Sequence, residues 1–444
     1  MKNKAVFIQS LGCPKNLVDS EVMAGLLRDA GFKVVDDPGK AQICIINTCG
    51  FIQPAVEEGL DAILCMTELK KRQKDIKLVV TGCMVQRYQN DLMVELPEVD
   101  YFIGSDGFQD IVKIVERIGV GAPNKGELRP PLYLMDANIS RAVSTPAHRA
   151  YLKITEGCSN TCSYCIIPKL RGRLRSRDID DIVAEAKVLE ASGVKELTLV
   201  GQDVTAYGID LGKKVNLSQL LQKLTSNTRI PWLRMLYMYP NRITDELLAT
   251  IAQESRIIPY FDIPLQHASA KVLEQMNRPR EISHIEELLD KIRSKLPDAT
   301  LRTTFIVGFP GEAEDDFLVL EDFIVRQRFD HLGIFAFCRE EGTAAAELPG
   351  QLDQEIKEMR RERLMAIQKV ISNEINQKLI SQKIEVLVEG LSSETNLLLE
   401  GRTRFQAPEI DGCVFINEGK CNAGDLVTVE IVAAHSYDLV GRIV

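Results

Sequence analysis

The sequence lacks any long apolar run and any surplus of positive charge. None of its uninterrupted apolar segments approaches the roughly 20 residues that a membrane-spanning helix needs. Residues 1–12 also lack the apolar stretch of a secretory signal peptide. The 54 Lys and Arg are outnumbered by 63 Asp and Glu, and the formal charge of −9 argues against nucleic acid as a partner and favours a basic one. We therefore expect a soluble, cytoplasmic protein with no membrane partner.

Low-complexity tracts are absent, and the composition excludes a disordered chain or a small disulfide-held protein. With 444 residues, of which 45% are apolar, the chain can fill the cores of about three domains. Its 11 cysteines occur in a long sequence without a recognisable secretory leader, which favours a reducing compartment. Their thiols are then expected to be metal ligands or core side chains rather than disulfides.

The pattern of apolar residues predicts an α/β multidomain protein. Residues 1–120 alternate strand and helix patterns, which predicts a mostly parallel sheet covered by helices. Residues 121–148 are rich in Pro and Gly without periodicity and are interpreted as a linker. Over 149–350 the chain repeats six βα units, too few for a complete eight-fold barrel, so we predict a partial TIM-type (β/α)6 barrel. In both α/β regions the carboxyl ends of the strands should carry the chemistry.

The last fifth of the chain, residues 351–444, contains two different patterns. Residues 351–381 show apolar side chains at three- and four-residue steps, which predicts one long connecting helix. Residues 382–444 turn to short alternating runs broken by Gly and Asn, which predicts a small all-β barrel.

Three cysteines of the second α/β region form a CxxxCxxC pattern directly after its first strand. Cys158, Cys162 and Cys165 place three thiolates within one short loop. A zinc site usually has four protein ligands, and no fourth Cys or His lies nearby in sequence. Iron–sulfur clusters are commonly held by four cysteines, so three would leave one iron open for a small molecule. The alternative, three small core residues, does not need this spacing.

Three further cysteines each follow a predicted strand of the first region. They are Cys13 after AVFIQSLG, Cys49 after ICIINT and Cys83 after KLVVTG. Parallel strands bring their carboxyl ends to one edge, so these residues are candidates for a second metal centre, the alternative being unrelated buried thiols. The other five cysteines are expected to be structural: Cys44, Cys65, Cys338, Cys413 and Cys421.

The CxxxCxxC segment resembles the radical S-adenosylmethionine superfamily. In that superfamily the loop binds a 4Fe–4S cluster whose open iron holds S-adenosylmethionine, and an electron from the cluster cleaves this cofactor to a 5′-deoxyadenosyl radical. The resemblance implies a partial barrel, which the βα repeats predict independently. It also implies an external electron donor.

The whole chain resembles the methylthiotransferase family, in which two clusters share one chain. The motifs that carry this resemblance occur in order: SLGCPKNLVDSE, INTCGFI, VTGCM, EGCSNTCSYCIIP, FDIPLQHAS, MNRP and FIVGFPGE. The C-terminal segment resembles the TRAM domain of that family. The resemblance implies two 4Fe–4S clusters and S-adenosylmethionine as cofactors. The implied reaction inserts sulfur into an unactivated C–H bond, with the N-terminal cluster supplying the sulfur, and delivers a methyl group to that sulfur.

Other strand ends offer candidate contacts to S-adenosylmethionine. Gln202 and Asp203 follow the second barrel strand, where many enzymes of the superfamily carry a Gly-Gly-Glu-like element that grips the methionine amine. Gln266 ends the fourth strand, and Arg302 and Gly308 flank the fifth, where an arginine can meet a carboxylate. An ordinary surface role for the arginine stays open. The basic run at 169–177 is either a binding surface for acidic groups or a solvated face.

The family divides into enzymes that modify an adenosine in tRNA and one that modifies an aspartate on ribosomal protein S-twelve. Residues 382–444 hold five basic and ten acidic side chains, so direct RNA binding by the C-terminal barrel is not expected. A ribosomal protein is typically basic and would suit an acidic surface. The segments SLGCPKNLVDSE and APEIDG also resemble the ribosomal-protein branch. We therefore predict radical methylthiolation of the β-carbon of an aspartate on ribosomal protein S-twelve of the small subunit. The alternatives are a tRNA adenosine methylthiotransferase and, in another class, an iron–sulfur electron carrier or scaffold.

Overall fold

The protein has an α/β N-terminal domain, a partial-barrel central domain, a long helix and a small C-terminal barrel, so the predicted fold class is confirmed. The computed structural model describes residues 4–119, 126–212, 215–392, 395 and 397–444. No helix in these ranges is long and apolar enough to cross a membrane.

The N-terminal domain is a parallel sheet with the strand order β2-β1-β3-β4-β5-β6. Its strands are β1 (Ala5–Ser10), β2 (Lys33–Val35), β3 (Ile43–Thr48), β4 (Lys77–Gly82), β5 (Tyr101–Ile103) and β6 (Gly126–Glu127). Its helices are α1 (Pro14–Asp29), α2 (Gln53–Arg72), α3 (Cys83–Glu95) and α4 (Ile111–Gly119). All six residues of β3 are buried, because helices cover both faces of this central strand.

The predicted linker at 121–148 is ordered and packed where the structure describes it, while residues 121–125 lie outside the described part. Two of its residues form β6 at the sheet edge. Further along, Arg141 donates to Glu21 of α1 over 2.8 Å and to Glu185 of the central domain over 2.6 Å. A Cβ on Gly25 would come within 2.5 Å of the backbone at Ser140, so the segment crosses α1 in direct contact. Pro and Gly content does not indicate the buried ion pairs that fix this segment.

The central domain is a partial barrel of two three-stranded parallel sheets, β7-β10-β11 and β12-β13-β14, joined by a parallel bridge between Leu233 and Ile257. Its strands are β7 (Arg149–Lys153), β8 (Thr155–Glu156), β9 (Arg175–Ser176), β10 (Glu196–Val200), β11 (Trp232–Met235), β12 (Tyr260–Gln266), β13 (Thr300–Val307) and β14 (His331–Ala336). Its helices are α5 (Ile167–Arg171), α6 (Ile179–Ala191), α7 (Leu217–Asn227), α8 (Asp245–Gln253), α9 (Ala270–Gln275), α10 (Ile282–Lys295) and α11 (Glu314–Gln327). The short β8 and β9 pair with each other beside the CxxxCxxC loop.

The predicted connecting helix is α12 (Gln354–Gln377), which packs along β14 and α11. It leads into a closed barrel with the strand order β15-β16-β17-β19-β18. These strands are β15 (Lys383–Leu391), β16 (Leu399–Thr403), β17 (Val414–Glu418), β18 (Leu426–Ala434) and β19 (Leu439–Ile443).

The C-terminal barrel is docked on the amino ends of the central strands. Trp232, the first residue of β11, and Tyr260, the first residue of β12, pack with Leu387 and Ala407 of the C-terminal barrel in one buried apolar cluster. Trp232 Nε1 also donates to Glu385 over 3.0 Å. Since the carboxyl ends of the same strands point the other way, the C-terminal barrel lies at the opposite end of the central domain from the predicted site.

Candidate functional site

The carboxyl ends of strands from both α/β domains face one shared cavity of about 350 Å³. All six cysteines that the sequence singled out line this cavity: Cys13, Cys49, Cys83, Cys158, Cys162 and Cys165. The structure thus brings together two groups of three thiols, one from each domain, although more than 70 residues separate them in sequence. The two proposed metal centres share one chamber.

Glycines allow the three N-terminal cysteine loops to touch. Gly12 has a φ of +87°, and a Cβ there would lie 2.7 Å from Cys49 Cβ. Gly82 has a φ of +103°, and a Cβ there would lie 2.4 Å from the Thr48 carbonyl oxygen. Each position requires a backbone that only glycine adopts easily and leaves no room for a side chain. Both glycines therefore serve to bring the cysteine loops to one place.

Burial keeps two of the six thiols, those of Cys83 and Cys165, protonated in the chain without metal. It raises the pKa of Cys83 to about 12, although the nearby Arg171 guanidinium acts in the opposite direction. Burial also raises the pKa of Cys165 to about 12, with only a partial offset from the backbone N–H of Ile167. Since thiolates are the ligand form, metal binding must displace protons from both groups.

The donor set fits iron–sulfur clusters better than single metal ions. Among the described residues, no three Cys, His, Asp or Glu side chains meet closely enough to chelate one ion. A 4Fe–4S cluster is held by cysteine thiolates on separate irons, so its ligands stand around a larger body. Two groups of three cysteines without a converging carboxylate or imidazole match that requirement. Cys158, Cys162 and Cys165 would hold one cluster, and the N-terminal cysteines would hold the other.

Arg171 connects the two cysteine groups. It ends α5, the helix that follows the CxxxCxxC loop, and its Nε donates to the Sγ of Cys83 over 3.1 Å. Its Nη1 donates to Asp19 of α1 over 2.6 Å, and Nη2 donates to Asn16. Burial alone would lower the pKa of Arg171, but the Cys83 thiol and Asp19 raise it well above its usual range. The central domain thus places a permanent positive charge against the Sγ of Cys83.

The basic run at 169–177 is divided between two environments. Arg171 and Arg177 are buried, and Arg177 donates to Glu185 over 2.5 Å and to the Lys153 carbonyl oxygen over 2.9 Å. Lys169 and Arg173 are exposed. The run is therefore neither one binding surface nor one solvated face.

Three of the five predicted cofactor contacts line the cavity: Gln202, Asp203 and Gln266. The Oε1 atom of Gln202 is buried without a hydrogen-bond partner among the described residues, so it can accept from a bound ligand. The Asp203 carboxylate already accepts from Arg242 over 2.5 Å and from Asn160 over 3.0 Å. Its charge is therefore largely compensated by the protein.

The other two predicted contacts do not line the cavity. Arg302 donates to Asp262 over 2.8 Å and lies 3.6 Å from Asp411 of the C-terminal barrel, so its guanidinium is used to join domains. A Cβ on Gly308 would lie 2.3 Å from the side chain of Lys357, so this glycine makes room for α12. Gly308 follows the carboxyl end of β13, but strand position alone does not give the direction in which Arg302 and Gly308 face.

Sequence reasoning missed two cations of the cavity wall, Lys15 and Arg278. Lys15 Nζ lies 3.8 Å from the centre of the Tyr237 ring, and Arg278 stacks 4.1 Å from the centre of the Tyr239 ring. Burial alone would lower the pKa of Lys15, but Tyr237 and Cys13 raise it. Both cations lie inside the recognised motifs SLGCPKNLVDSE and MNRP, which was the available signal.

Of the five cysteines expected to be structural, Cys44 is fully buried in β3, whereas Cys65 on α2 is exposed. The expectation of a core position was wrong for Cys65, because the helix turns this position away from the sheet. Cys338, Cys413 and Cys421 are partly buried.

Comparisons with known proteins assign families to all three domains. Residues 5–104 match the model described as "Uncharacterized protein family UPF0004", residues 152–324 match the radical SAM superfamily and residues 380–444 match the TRAM domain. Among solved structures, the radical S-adenosylmethionine methyltransferase TsrM from Kitasatospora setae aligns with a TM-score of 0.57 at 14% identity. That alignment covers 86% of this chain and 79% of TsrM. At this identity the likeness shows the fold alone.

Three curated relatives that match this chain from end to end carry the name ribosomal protein uS12 methylthiotransferase RimO. The protein from Desulfotalea psychrophila is 48% identical over 98% of both chains. The protein from Anaeromyxobacter sp. strain K is 50% identical over 99% of this chain and 93% of its own length, and that from Geobacter sulfurreducens is 45% identical over 99% and 98%. Identity at this level over whole chains shows that the protein belongs to the RimO family of ribosomal protein uS12 methylthiotransferases.

Proposed function

We propose that this chain attaches a methylthio group to the β-carbon of an aspartate on ribosomal protein uS12. The observation that carries the proposal is the single cavity lined by both groups of three cysteines. A C–H bond without an acidic proton requires a radical that abstracts the hydrogen atom. The resulting carbon radical then needs a sulfur atom close by with which to form a bond. Placing both sources on one chamber gives the trapping step a high effective concentration.

The proposed roles follow from which residues reach the cavity. When bound, the two clusters and S-adenosylmethionine supply the 5′-deoxyadenosyl radical, the transferred sulfur and the methyl group. Cys158, Cys162 and Cys165 would hold the cluster that binds S-adenosylmethionine, and Gln202 Oε1 would accept a hydrogen bond from that cofactor. The N-terminal cysteines would hold the sulfur-donating cluster.

The cavity wall also carries apolar and aromatic side chains that would limit the access of water to a reactive intermediate. Its lining includes Tyr164, Tyr237, Tyr239, Met238 and Phe51. Exclusion of water and of other hydrogen-atom donors keeps a carbon radical available for reaction with the sulfur atom. The wall thereby supports transfer over side reactions.

Two further parts of the proposal concern the surroundings. Each radical cleavage consumes one electron, so we place an external electron donor at the central domain. The thiol-rich composition suits a reducing compartment, and we place the reaction in the cytoplasm.

The test compares the two substrates of the methylthiotransferase family in one reaction. Anaerobically reconstituted enzyme is incubated with S-adenosylmethionine, a reductant, uS12 and tRNA, and both products are digested for mass spectrometry. A methylthio increment on an aspartate-containing peptide of uS12 is expected. An increment only on tRNA nucleosides would overturn the substrate assignment, and absence of 5′-deoxyadenosine would indicate an electron carrier or scaffold.

A further inference from the structure

Lys15 is a buried cation that has no carboxylate partner among the described residues. Lys15 is only 7% exposed. Its Nζ lies 3.4 Å from the Gly201 carbonyl oxygen and 3.8 Å from the centre of the Tyr237 ring. Buried charges in proteins are normally paired with an opposite charge. An ammonium has three N–H donors, and one long contact to a carbonyl leaves most of that capacity unused. The environment therefore has room for a bound anion.

The other two cations of the cavity wall, Arg171 and Arg278, already have hydrogen-bond partners in the protein. Arg171 is paired with Asp19 over 2.6 Å and bonded to Cys83. Arg278 donates to the Pro264 carbonyl oxygen, and its Nη1 lies 3.9 Å from the Sγ of Cys162. Arg278 thus belongs to the CxxxCxxC side of the chamber. Lys15, two residues after Cys13, comes from the N-terminal side and reaches Gly201 and Tyr237 of the central domain.

Three anions could reach Lys15, and the position of the reacting carbon favours the third. Lys15 Nζ contacts Gly201, which precedes the proposed cofactor contact Gln202, so the carboxylate of S-adenosylmethionine is one of them. The thiolates on the N-terminal side are the second, although the Cys83 thiol already has Arg171 beside it. The third anion is the carboxylate of the target aspartate, whose carbon is bonded directly to the β-carbon that receives sulfur. That β-carbon must approach the N-terminal cysteines, and its carboxylate then falls next to Lys15.

We propose that the Lys15 ammonium binds the side-chain carboxylate of the target aspartate and so sets which carbon faces the sulfur donor. This inference rests on the proposed function, because it needs an aspartate as substrate. It also gives a reason for substrate choice, since an adenosine base offers no carboxylate. Lys15 would then determine specificity at the same site.

A double-mutant cycle between enzyme and substrate tests the contact. The full-length enzyme with both clusters is prepared as wild type, Lys15→Met and Lys15→Arg, with Lys113→Met as the control at a lysine whose side chain is 78% exposed. Binding is measured without reductant to uS12 and to uS12 in which the target aspartate is replaced by asparagine. Loss of a charged hydrogen bond predicts that Lys15→Met weakens binding of uS12 by about tenfold or more, but binding of the asparagine protein by less than about twofold. Lys15→Arg should retain most of the affinity and Lys113→Met all of it.

Two results would overturn the inference. Equal weakening of both uS12 proteins by Lys15→Met would mean that Lys15 supports the fold or the cluster, and iron content and the cluster absorption spectrum would identify which. Unchanged affinity for both proteins would mean that the ammonium does not contact the aspartate. Failure of the proposed function is a separate result, because wild-type enzyme would then leave uS12 without a methylthio increment.

Discussion

Single buried side chains join the two domains beside the cysteine groups, and Arg171 is the clearest case. It is 2% exposed and joins α5 to three N-terminal side chains, Asp19, Asn16 and Cys83. Lys153 donates to the same aspartate and to Glu156 over 2.8 Å, so the boundary between domains holds two buried cations and two buried carboxylates. Removing one charge from such a set leaves others uncompensated.

Replacing Arg171 should destabilise the chain and its N-terminal cluster together. Arg171→Met is expected to lower the free energy of unfolding of the metal-free chain by about 3–5 kcal/mol, as loss of one partner of a buried ion pair does. Urea unfolding under reducing conditions measures this, and the iron bound per chain after reconstitution reports the cluster. Arg173→Met, at an exposed position of the same run, is the matched control. A loss below about 1 kcal/mol, typical of surface ion pairs, would contradict the structural role of Arg171.

The meeting of the six cysteines at one cavity could be predicted from the sequence, whereas the contacts of Lys15 and Arg171 could not. Each cysteine either belongs to a compact spacing or follows a strand, and parallel strands end at one edge by geometry alone. The partners of Lys15 and Arg171 come from the other domain, at Gly201 and Asp19 respectively. No local pattern encodes a contact across more than 150 residues.

At the scale of elements, the C-terminal barrel is held to the central domain by charge as well as by apolar packing. Glu389 of β15 accepts from Arg402 and lies 2.8 Å from His148 Nε2. Arg402 also pairs with Glu196, the first residue of β10. Burial alone would raise the pKa of Glu389, but the His148 hydrogen bond and the charges of Arg402 and Arg149 lower it to about 2.

Acid should therefore loosen the docked barrel in a defined window. A carboxyl whose pKa is lower in the folded state stabilises it fully above the ordinary value of 4.5, and this contribution is lost as pH falls towards about 2. The sequence has one tryptophan, Trp232, and it lies in this interface, so its fluorescence reports docking. The urea midpoint of the metal-free chain should fall as the pH is lowered from 4.5 towards 2.

Glu389→Gln provides the control for this titration. The variant lacks the titrating carboxyl, so its urea midpoint should be lower than that of wild type at neutral pH and should change less in the acid range. Identical acid profiles for the two proteins would show that Glu389 does not hold the barrel in place.

This interface also covers part of the acidic charge in residues 382–444. Four of its ten acidic residues contact the central domain: Glu385, Glu389, Glu409 and Asp411. A sequence count treats them as free surface charge, because it has no information on which face is covered. Glu418 and Asp425 remain exposed. The preference for a basic partner therefore rests on fewer charges than the count indicated.

At the scale of the whole molecule, the domains are fastened around the cavity from several sides. Arg87 of α3 donates over 2.7 Å to Glu340, which follows β14, and the backbone N–H of Gln53 donates to the same carboxylate over 2.8 Å. Arg141 fastens the opposite side through Glu21 and Glu185. The two cysteine groups are thus held in a fixed relation, as transfer between radical and sulfur sites requires.

The central claim is that one cysteine group generates the radical while the other delivers sulfur into the same cavity. The most direct test measures 5′-deoxyadenosine and methylthiolated uS12 in one reaction with the Cys49→Ala enzyme. Cys65→Ala, at an exposed thiol outside the cavity, is the matched control and should behave like wild type. The account predicts that Cys49→Ala still forms 5′-deoxyadenosine but yields no methylthiolated uS12. Methylthiolated uS12 at the wild-type level from this variant would contradict it.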